Sequence, residues 1–200
     1  MDTSVKSARL IALYSPAPQQ GKSEVAKHLH KEHGFVIAKF AGPLKFMLGQ
    51  LLLQAGIPKD ELWDYLDGPM KEQQIIGLPM GTTMRHLMRT LGNDWGRKLL
   101  GPDVWIDIAM KSIRSHLRKG HSVVVDDMRM LNEYDAILKE SGEVWRVVKT
   151  TKKFRNDGHS EGLLEGKFFD LSLLNDKTVA VLKQGISATM QLPTPFGQLK

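Results

Sequence analysis

The chain has 200 residues, of which 42% are hydrophobic, and this composition is typical of a folded globular protein rather than a disordered one. It contains no cysteine, which excludes disulfide bonds, thiolate metal sites and thiol catalysis, and no apolar run approaches the ~20 residues that span a bilayer. The formal net charge of +6 indicates a polyanionic partner, either a nucleic acid or a phosphorylated small molecule.

In the first half of the chain, short apolar runs predict strands, and apolar residues at helical spacing predict helices. In chain order, the pattern predicts a strand over 9–15, a helix over 23–33, a strand over 35–41 and a helix over 44–55. Prolines and glycines interrupt residues 57–81, where we expect short helices and loops. A further helix is predicted over 84–91, and Gly92 is expected to interrupt it.

The second half continues the alternation of helices and strands. In chain order, the pattern predicts a helix over 104–117, a strand over 121–127, a helix over 133–140, a strand over 143–149, a strand over 168–175 and a helix over 177–190. This order predicts an α/β fold with a mostly parallel sheet and helices on both faces. Because there is no internal repeat and no obvious linker, residues 1–200 are predicted to form a single domain.

The stretch SPAPQQGKSE at residues 15–24 is similar to a phosphate-binding loop, whose pattern is G-x-x-x-x-G-K-[ST]. Gly21, Lys22 and Ser23 match its second half, whereas Pro16 stands where the first glycine is expected. A predicted strand precedes the stretch and a predicted helix follows it, as in loops whose backbone N–H groups bind phosphate. Lys22 would then reach the β- and γ-phosphates of a nucleotide, and the Ser23 hydroxyl would bind Mg²⁺. The alternative is an ordinary solvent-exposed turn before a helix.

Two other stretches carry candidate phosphate ligands. Arg85 and Arg89 are four residues apart on one predicted helical face and could clamp a phosphate, the alternative being a solvated basic face. Asp126 and Asp127 end a predicted buried strand, where ligands bind in α/β sheets. One of these acids could serve the metal through water and Arg129 could serve a phosphate, whereas a cap or turn is the alternative for Asp126.

Five short stretches, spread in order over nearly the whole chain, carry a family resemblance. They are GKSE at 21–24, FAGPLK at 40–45, RHLMRTLGNDWGR at 85–97 with DVW at 103–105, DDMRMLNE at 126–133, and HSEGLL at 159–164 followed by ND at 175–176. Together they resemble the bacteriophage deoxynucleoside monophosphate (dNMP) kinases. The resemblance implies Mg²⁺-dependent transfer of the γ-phosphoryl group of ATP to a dNMP, giving the diphosphate and ADP for phage DNA synthesis. It also implies a three-layer P-loop kinase fold with a helical monophosphate-binding region and a short lid over about residues 150–160.

The resemblance further implies a role for individual residues. The residues of the ATP phosphate loop are Gln20, Gly21, Lys22, Ser23 and Glu24, with Ser23 as the metal ligand. Those of the dNMP site are Lys39, Phe40, Arg85, His86, Arg89, Gly92, Trp105, Asp127, Arg129 and Glu133. The predicted catalytic residues are Lys22, Arg85, Asp127 and Arg129, and the predicted lid residues are Lys152, Lys153, Arg155 and His159. For Trp105, a place in the hydrophobic core is the alternative to stacking on a base.

Two other classes of function stay open, a P-loop protein that binds ATP without turnover and a small basic nucleic-acid-binding protein. The paired arginines disfavour the first, because binding ATP alone needs no second phosphate site. The spread of charge along the chain disfavours the second. The expected partners are therefore ATP and a dNMP, with no membrane and no stable nucleic-acid binding, and a homodimer is left open. Residues 1–15 lack the apolar core and cleavage site of a signal peptide, so we expect a cytoplasmic protein, in the host cell if phage-encoded.

Overall fold

The computed structural model describes residues 8–79, 81–150 and 163–191, which divide into two units. We call them the sheet unit, which contains the described residues up to Lys39 and from Ile113 onward, and the helical unit, Phe40–Ser112. Each is described by itself below.

Parallel strands form the centre of the sheet unit. They are β1 (Leu10–Tyr14), β2 (Val36–Ala38), β3 (Val123–Val125), β4 (Glu143–Val148) and β5 (Leu171–Leu174), in the order β2-β3-β1-β4-β5. β1 lies in the middle, where Leu10 pairs with Val123 of β3 and Ile11 with Glu143 of β4. All residues of β1 are buried, as expected for a central strand with both faces covered. The predicted parallel sheet is confirmed, since every strand pair in the described part of the chain is parallel.

The α-helices of the described residues agree closely with the predicted ones. They are α1 (Lys22–His33), α2 (Gly42–Gln54), α3 (Leu62–Leu66), α4 (Met84–Arg89), α5 (Val104–Arg118), α6 (Leu131–Lys139) and α7 (Val179–Gln191). In the sheet unit, Val25 and Leu29 of α1 and Ile186 of α7 pack with the sheet residues Ile11 and Trp145 in one core. Within the described ranges, no helix is both long enough and apolar enough to cross a membrane.

The helical unit has a core of its own. Its buried centre is formed by Leu44, Leu48 and Leu52 of α2, which contact the cluster that holds Met84 and Trp105. Between α2 and α4 the chain forms α3 and two single-turn 3₁₀-helices, Lys59–Glu61 and Pro69–Glu72, as predicted for this interrupted stretch.

The helix that was expected to be interrupted at Gly92 continues instead, so this prediction was wrong. α4 passes directly into a π-helix over Thr90–Leu100. Gly92 and Gly96 are both buried in it, and a Cβ atom on Gly96 would lie 2.6 Å from the indole ring of Trp105. These glycines therefore allow close packing and do not end the helix.

Candidate phosphate-binding site

The loop between β1 and α1 has the backbone conformation of an anion-binding turn. Gln19 and Gly21 both adopt left-handed conformations, with φ angles of 58° and 108°. Alternation of this kind turns successive N–H groups toward one point, and the N-terminus of α1 begins there with Lys22. Pro16 is buried and lies outside the two left-handed positions, Gln19 and Gly21. Its fixed negative φ angle is therefore compatible with the loop. The missing first glycine is thereby accommodated.

Gln20 ties the loop to two other strands of the sheet. Its side chain is buried, and its Oε1 atom accepts a hydrogen bond of 2.9 Å from the backbone N–H of Lys149, which follows β4. Its carbonyl oxygen accepts a hydrogen bond of 2.9 Å from the Asn175 side-chain amide, directly after β5. The structure thus shows Gln20, predicted to bind ATP, in contacts that position the loop. Asn175 was not predicted as a site residue, although its place at the carboxyl end of a strand was a signal.

Position 21 requires glycine because of its backbone conformation and because a side chain there would meet Asn175. Its φ angle of 108° lies where side chains are strained, and a Cβ atom would lie 2.3 Å from Nδ2 of Asn175. The hydrogen bond from Asn175 to Gln20 therefore depends on the absence of a side chain at position 21.

The ammonium group of Lys22 lies within the loop. Its Nζ atom donates a hydrogen bond of 2.8 Å to the Ser15 hydroxyl, which in turn donates one of 2.9 Å to the Ala17 carbonyl. Ser15 is buried and was not predicted as a site residue. Ser23 is exposed in the first turn of α1, beside the half-buried Glu24. The loop thus presents a positive charge and an accessible hydroxyl at the helix N-terminus.

The ends of β2 and β3 place a charged pair at the same edge of the sheet. Nζ of Lys39 lies 3.7 Å from Oδ1 of Asp126, whose side chain is 8% exposed. Asp126 and Asp127 are both half-buried as whole residues. Since β3 pairs directly with β1, both acids lie at the carboxyl edge from which the phosphate loop begins.

Arg129 and Glu133, both predicted to bind the dNMP, lie at the start of α6. The Glu133 carboxylate is buried and accepts hydrogen bonds from the backbone N–H groups of Arg129, at 2.7 Å, and Met130, at 3.0 Å. Glu133 therefore caps α6 and fixes the turn that carries Arg129. The Arg129 residue itself is exposed.

A tyrosine at the end of β1 connects the sheet to the chain after the predicted lid. The Tyr14 hydroxyl donates a hydrogen bond of 3.2 Å to Glu165, which also accepts one of 2.6 Å from Arg146. Burial, and secondly the Glu165 carboxylate, raise the pKa of Tyr14 well above its ordinary value, so the phenol stays protonated. The Tyr14 ring also stacks on Phe169. The predicted lid residues Lys152, Lys153, Arg155 and His159 lie outside the described residues.

In the helical unit, α4 carries three of the predicted dNMP-binding residues on its exposed surface. Arg85, His86 and Arg89 are all exposed, and the Arg85 guanidinium forms an ion pair with Glu72. The backbone N–H of His86 donates a 3.2 Å hydrogen bond to the Thr83 hydroxyl, which caps the helix. The two arginines are therefore accessible to solvent.

Three other predicted dNMP-binding residues of this unit are buried. Trp105 is 4% exposed, and its indole N–H donates a 2.8 Å hydrogen bond to the carbonyl of Gly92. Phe40 is 2% exposed. Trp105 therefore packs in the core of the helical unit, which was the alternative to stacking on a base. Base stacking stays a prediction, and it would require the indole ring to become exposed.

Comparison with known proteins identifies the fold. No protein-family model matches the sequence, and no curated protein is significantly similar to it. The structure is similar to dephospho-CoA kinase from Campylobacter jejuni, with a TM-score of 0.53 and 13% sequence identity over 91% of this chain and 95% of that chain. The APS kinase of Mycobacterium tuberculosis matches with a TM-score of 0.47 and 11% identity over 93% of this chain and 99% of that chain. The predicted α/β P-loop kinase fold with a parallel central sheet is thus confirmed.

We predict that Gly21→Ala destabilises the protein more than Gly34→Ala. Both glycines have positive φ angles, so each substitution should cost about 1–2 kcal/mol of unfolding free energy. Only at Gly21 does the new Cβ atom meet another group, Asn175, which should add ~1–3 kcal/mol. Urea denaturation of both variants measures the difference, and equal losses would contradict the proposed contact.

We also predict that Trp105→Ala lowers the free energy of unfolding by about 3–5 kcal/mol, because it removes a buried aromatic ring. The control is Trp63→Ala in the same unit, where the ring is 63% exposed and the loss should stay within ~0.5 kcal/mol. Unchanged stability of the Trp105 variant, together with weaker dNMP binding, would instead support the base-stacking role.

Proposed function

We propose that the protein is an ATP-dependent dNMP kinase. The observation that carries this proposal is the anchored loop of residues 15–21, with the Lys22 ammonium group held inside it at the N-terminus of α1. The fold shared with dephospho-CoA kinase, an enzyme named for phosphoryl transfer, supports the same class of reaction. The resemblance of five sequence stretches to the phage dNMP kinases supports a dNMP as the phosphoryl acceptor.

In this proposal, the loop binds the phosphates of ATP. The left-handed residues Gln19 and Gly21 direct backbone N–H groups at the phosphate oxygens. The N-terminal end of the α1 dipole is positive and also attracts the negatively charged phosphates. Lys22 exchanges its contact with Ser15 for the β- and γ-phosphates. Because Gln20 and Asn175 already hold the loop in place, binding requires little reordering of the backbone.

Each unit supplies charged groups that we propose as ligands of the acceptor. In the sheet unit, Lys39 and Arg129 supply positive charge at the carboxyl edge, and Asp127 orients the deoxyribose or a metal-bound water. In the helical unit, Arg85 and Arg89 supply guanidinium groups that can each bind two phosphate oxygens. The Arg85 pair with Glu72 is exposed, so a phosphate can displace it at low cost. We propose that the two units together form a single kinase domain.

The transfer itself needs no strong general base. An oxygen of the acceptor phosphate, already anionic, forms a bond to the γ-phosphorus of ATP, while the bond from that phosphorus to the β,γ-bridging oxygen breaks. The electron pair leaves with ADP, and the products are ADP and the deoxynucleoside diphosphate. Lys22 and an arginine stabilise the charge on the oxygens of the transferred group.

The residues at this edge fit a Mg²⁺ ion shared with the nucleotide. Within the described ranges, no group of three or more His, Cys, Asp or Glu side chains could hold a metal by itself. Ser23 offers an exposed hydroxyl, and Asp126 or Asp127 offers a carboxylate that can act through water, which are the oxygen ligands that Mg²⁺ uses beside phosphates. When bound, the ion would neutralise charge on the β- and γ-phosphates.

A coupled assay of ADP release with each of the four common dNMPs tests the proposal directly. Phosphorylation of at least one dNMP is expected. ATP binding without any dNMP-dependent ADP release would favour the non-turnover alternative, and salt-sensitive binding of DNA would favour the nucleic-acid-binding alternative.

We predict that Lys22→Ala lowers kcat more than tenfold, a loss above about 1.4 kcal/mol of transition-state stabilisation, while the free energy of unfolding changes by no more than ~1 kcal/mol. The matched control is Lys27→Ala on the same helix, whose side chain is 72% exposed. A Lys22 variant that keeps more than a tenth of the activity would contradict its role at the phosphates.

We further predict that Arg129→Lys loses most of the kinase activity but binds ATP almost normally. Lysine keeps the charge and cannot reproduce the two-oxygen contact of a guanidinium group. The Glu133 cap is retained, since it involves the backbone of residue 129. Isothermal titration with ATP and steady-state kinetics measure both effects, with Arg114→Lys as the control for a structural ion-paired arginine. Near-normal kcat would show that Arg129 does not contact the phosphates.

A further inference from the structure

Two helices of the sheet unit meet at a pair of histidines that the proposed phosphate chemistry does not use. His28 and His33 lie on α1, and Ser187 lies on α7. Nε2 of His28 lies 2.9 Å from the Ser187 hydroxyl oxygen, and Nε2 of His33 lies 3.4 Å from the same atom. The two imidazole rings stand edge to face, with their centroids 5.6 Å apart. One hydroxyl group thus joins both rings and both helices.

This contact lies beside the apolar core of the sheet unit. His28 is followed in the chain by Leu29, and Ser187 is preceded by Ile186, and both of these apolar side chains are fully buried in that core. The His28 residue itself is only 9% exposed. A positive charge on a buried imidazole loses most of its hydration, so this place favours the neutral form of His28.

The hydrogen bonds of the contact also limit how many protons it can hold. The Ser187 hydroxyl has one hydrogen, so it can donate to only one of the two imidazoles, and the other ring must donate its own Nε2–H to the hydroxyl oxygen. One neutral donor ring and one neutral acceptor ring satisfy this requirement. If both rings were protonated, neither could accept from the hydroxyl, and two positive charges would lie within 6 Å of each other.

Charged groups of both helices act on His28. Glu32 and the backbone carbonyl of Lys183 favour its protonated form, whereas His33 and the Lys183 ammonium group oppose it. Glu32 also lies 3.9 Å from Nζ of Lys31, so its charge is shared. Burial, and secondly His33, lower the pKa of His28 from its ordinary value of 6.5. The imidazole of His28 is therefore neutral at pH 7 and takes up a proton only in acid.

Both helices of this contact continue from the anchored phosphate loop. α1 begins with Lys22 directly after the loop, and α7 follows β5 and the anchoring residue Asn175. The histidines lie in the C-terminal half of α1, and Ser187 lies in the C-terminal half of α7. Weakening the contact would therefore loosen α7 at the end that is far from its anchor.

We propose that His28, Ser187 and His33 form a pH-sensitive junction, which holds α7 against α1 while both imidazoles are neutral and releases it in acid. Protonation of His28 places a charge in a buried contact, and separation of the helices returns water to that charge. This role concerns the contact between two helices and does not depend on the kinase activity.

The sign of the pH dependence follows from the lowered pKa. The unfolded chain takes up a proton at His28 near the ordinary value of 6.5, whereas the folded chain takes it up at lower pH. The stability that the neutral ring contributes is thus complete above about pH 7.5 and is lost as the pH falls through 6.5 toward the folded pKa.

Urea denaturation of the full chain at about pH 7.5 and about pH 5.5 tests the junction. On going to the lower pH, the unfolding equilibrium constant of the wild type should rise at least about threefold more than that of His28→Gln, because glutamine keeps polar atoms for Ser187 and does not titrate. The matched control is His121→Gln. His121 also faces a second histidine, His116, at 6.0 Å, but it is exposed, so this variant should keep the wild-type pH dependence.

Two measurements on the unchanged protein make the test independent of how well the variants fold. The His28 imidazole resonance in NMR spectra, assigned by its absence from His28→Gln, should titrate below pH 6.5. Amide hydrogen exchange, corrected for its intrinsic pH dependence, should show that α7 loses protection in acid while α6 keeps it. Titration of His28 at or above pH 6.5, equal pH dependence of the wild type and His28→Gln, or loss of protection in α6 and α7 together would overturn the proposal.

Discussion

The buried Gln20 holds the phosphate loop, and the rest of the site depends on it. Its carbonyl and side-chain oxygens are both occupied, by the Asn175 amide and the Lys149 N–H. Loss of either donor would leave a buried acceptor unpaired, at a cost of about 1–3 kcal/mol. This cost is comparable to that of keeping Gln19 in a left-handed conformation, so the anchor can hold the loop in a shape that it would not keep alone.

The parallel sheet is the reason why the charged residues meet at one edge. The carboxyl ends of its strands all point the same way, so Lys39 after β2, Asp126 after β3 and Asn175 after β5 are delivered to the side where β1 enters the loop. Residues that are far apart in the chain are thereby brought to one side of the sheet by topology. The excess positive charge of the protein also lies outside the helical unit, in the part of the chain that carries this edge.

Much of the fold could be predicted from the sequence, because the strands are continuous apolar runs and most helices end at glycine. The prediction failed at Gly92, since the tendency of glycine to end helices is an average that close packing against Trp105 overrides here. Within the candidate site, the phosphate-loop pattern at Gly21 and Lys22 could be recognised from the sequence. The roles of Ser15 and Asn175 were not, because they arise from contacts across the fold that local spacing does not encode.

Local sequence patterns also cannot distinguish a residue that caps a helix or packs in the core from one that binds a ligand. Glu133 and Trp105 were expected to bind the dNMP, and in the structure one caps α6 and the other packs in the core of the helical unit. Both patterns, an acid near a helix start and an aromatic residue near arginines, are common to packing and to binding. For the same reason the apolar sequence of α2 did not indicate which face would be left exposed.

The sheet order has a consequence for how the protein is made. Central β1 pairs with β3 and β4, which follow it by more than 100 residues, and the Asn175 anchor comes later still. A ribosome therefore releases the GKS stretch long before the strands that support it. Until the last fifth of the chain has emerged, the nascent polypeptide carries the residues of the loop without its anchors. Contacts of such long range also make folding slow. The proposed phosphate-binding loop should thus be anchored only at the end of synthesis.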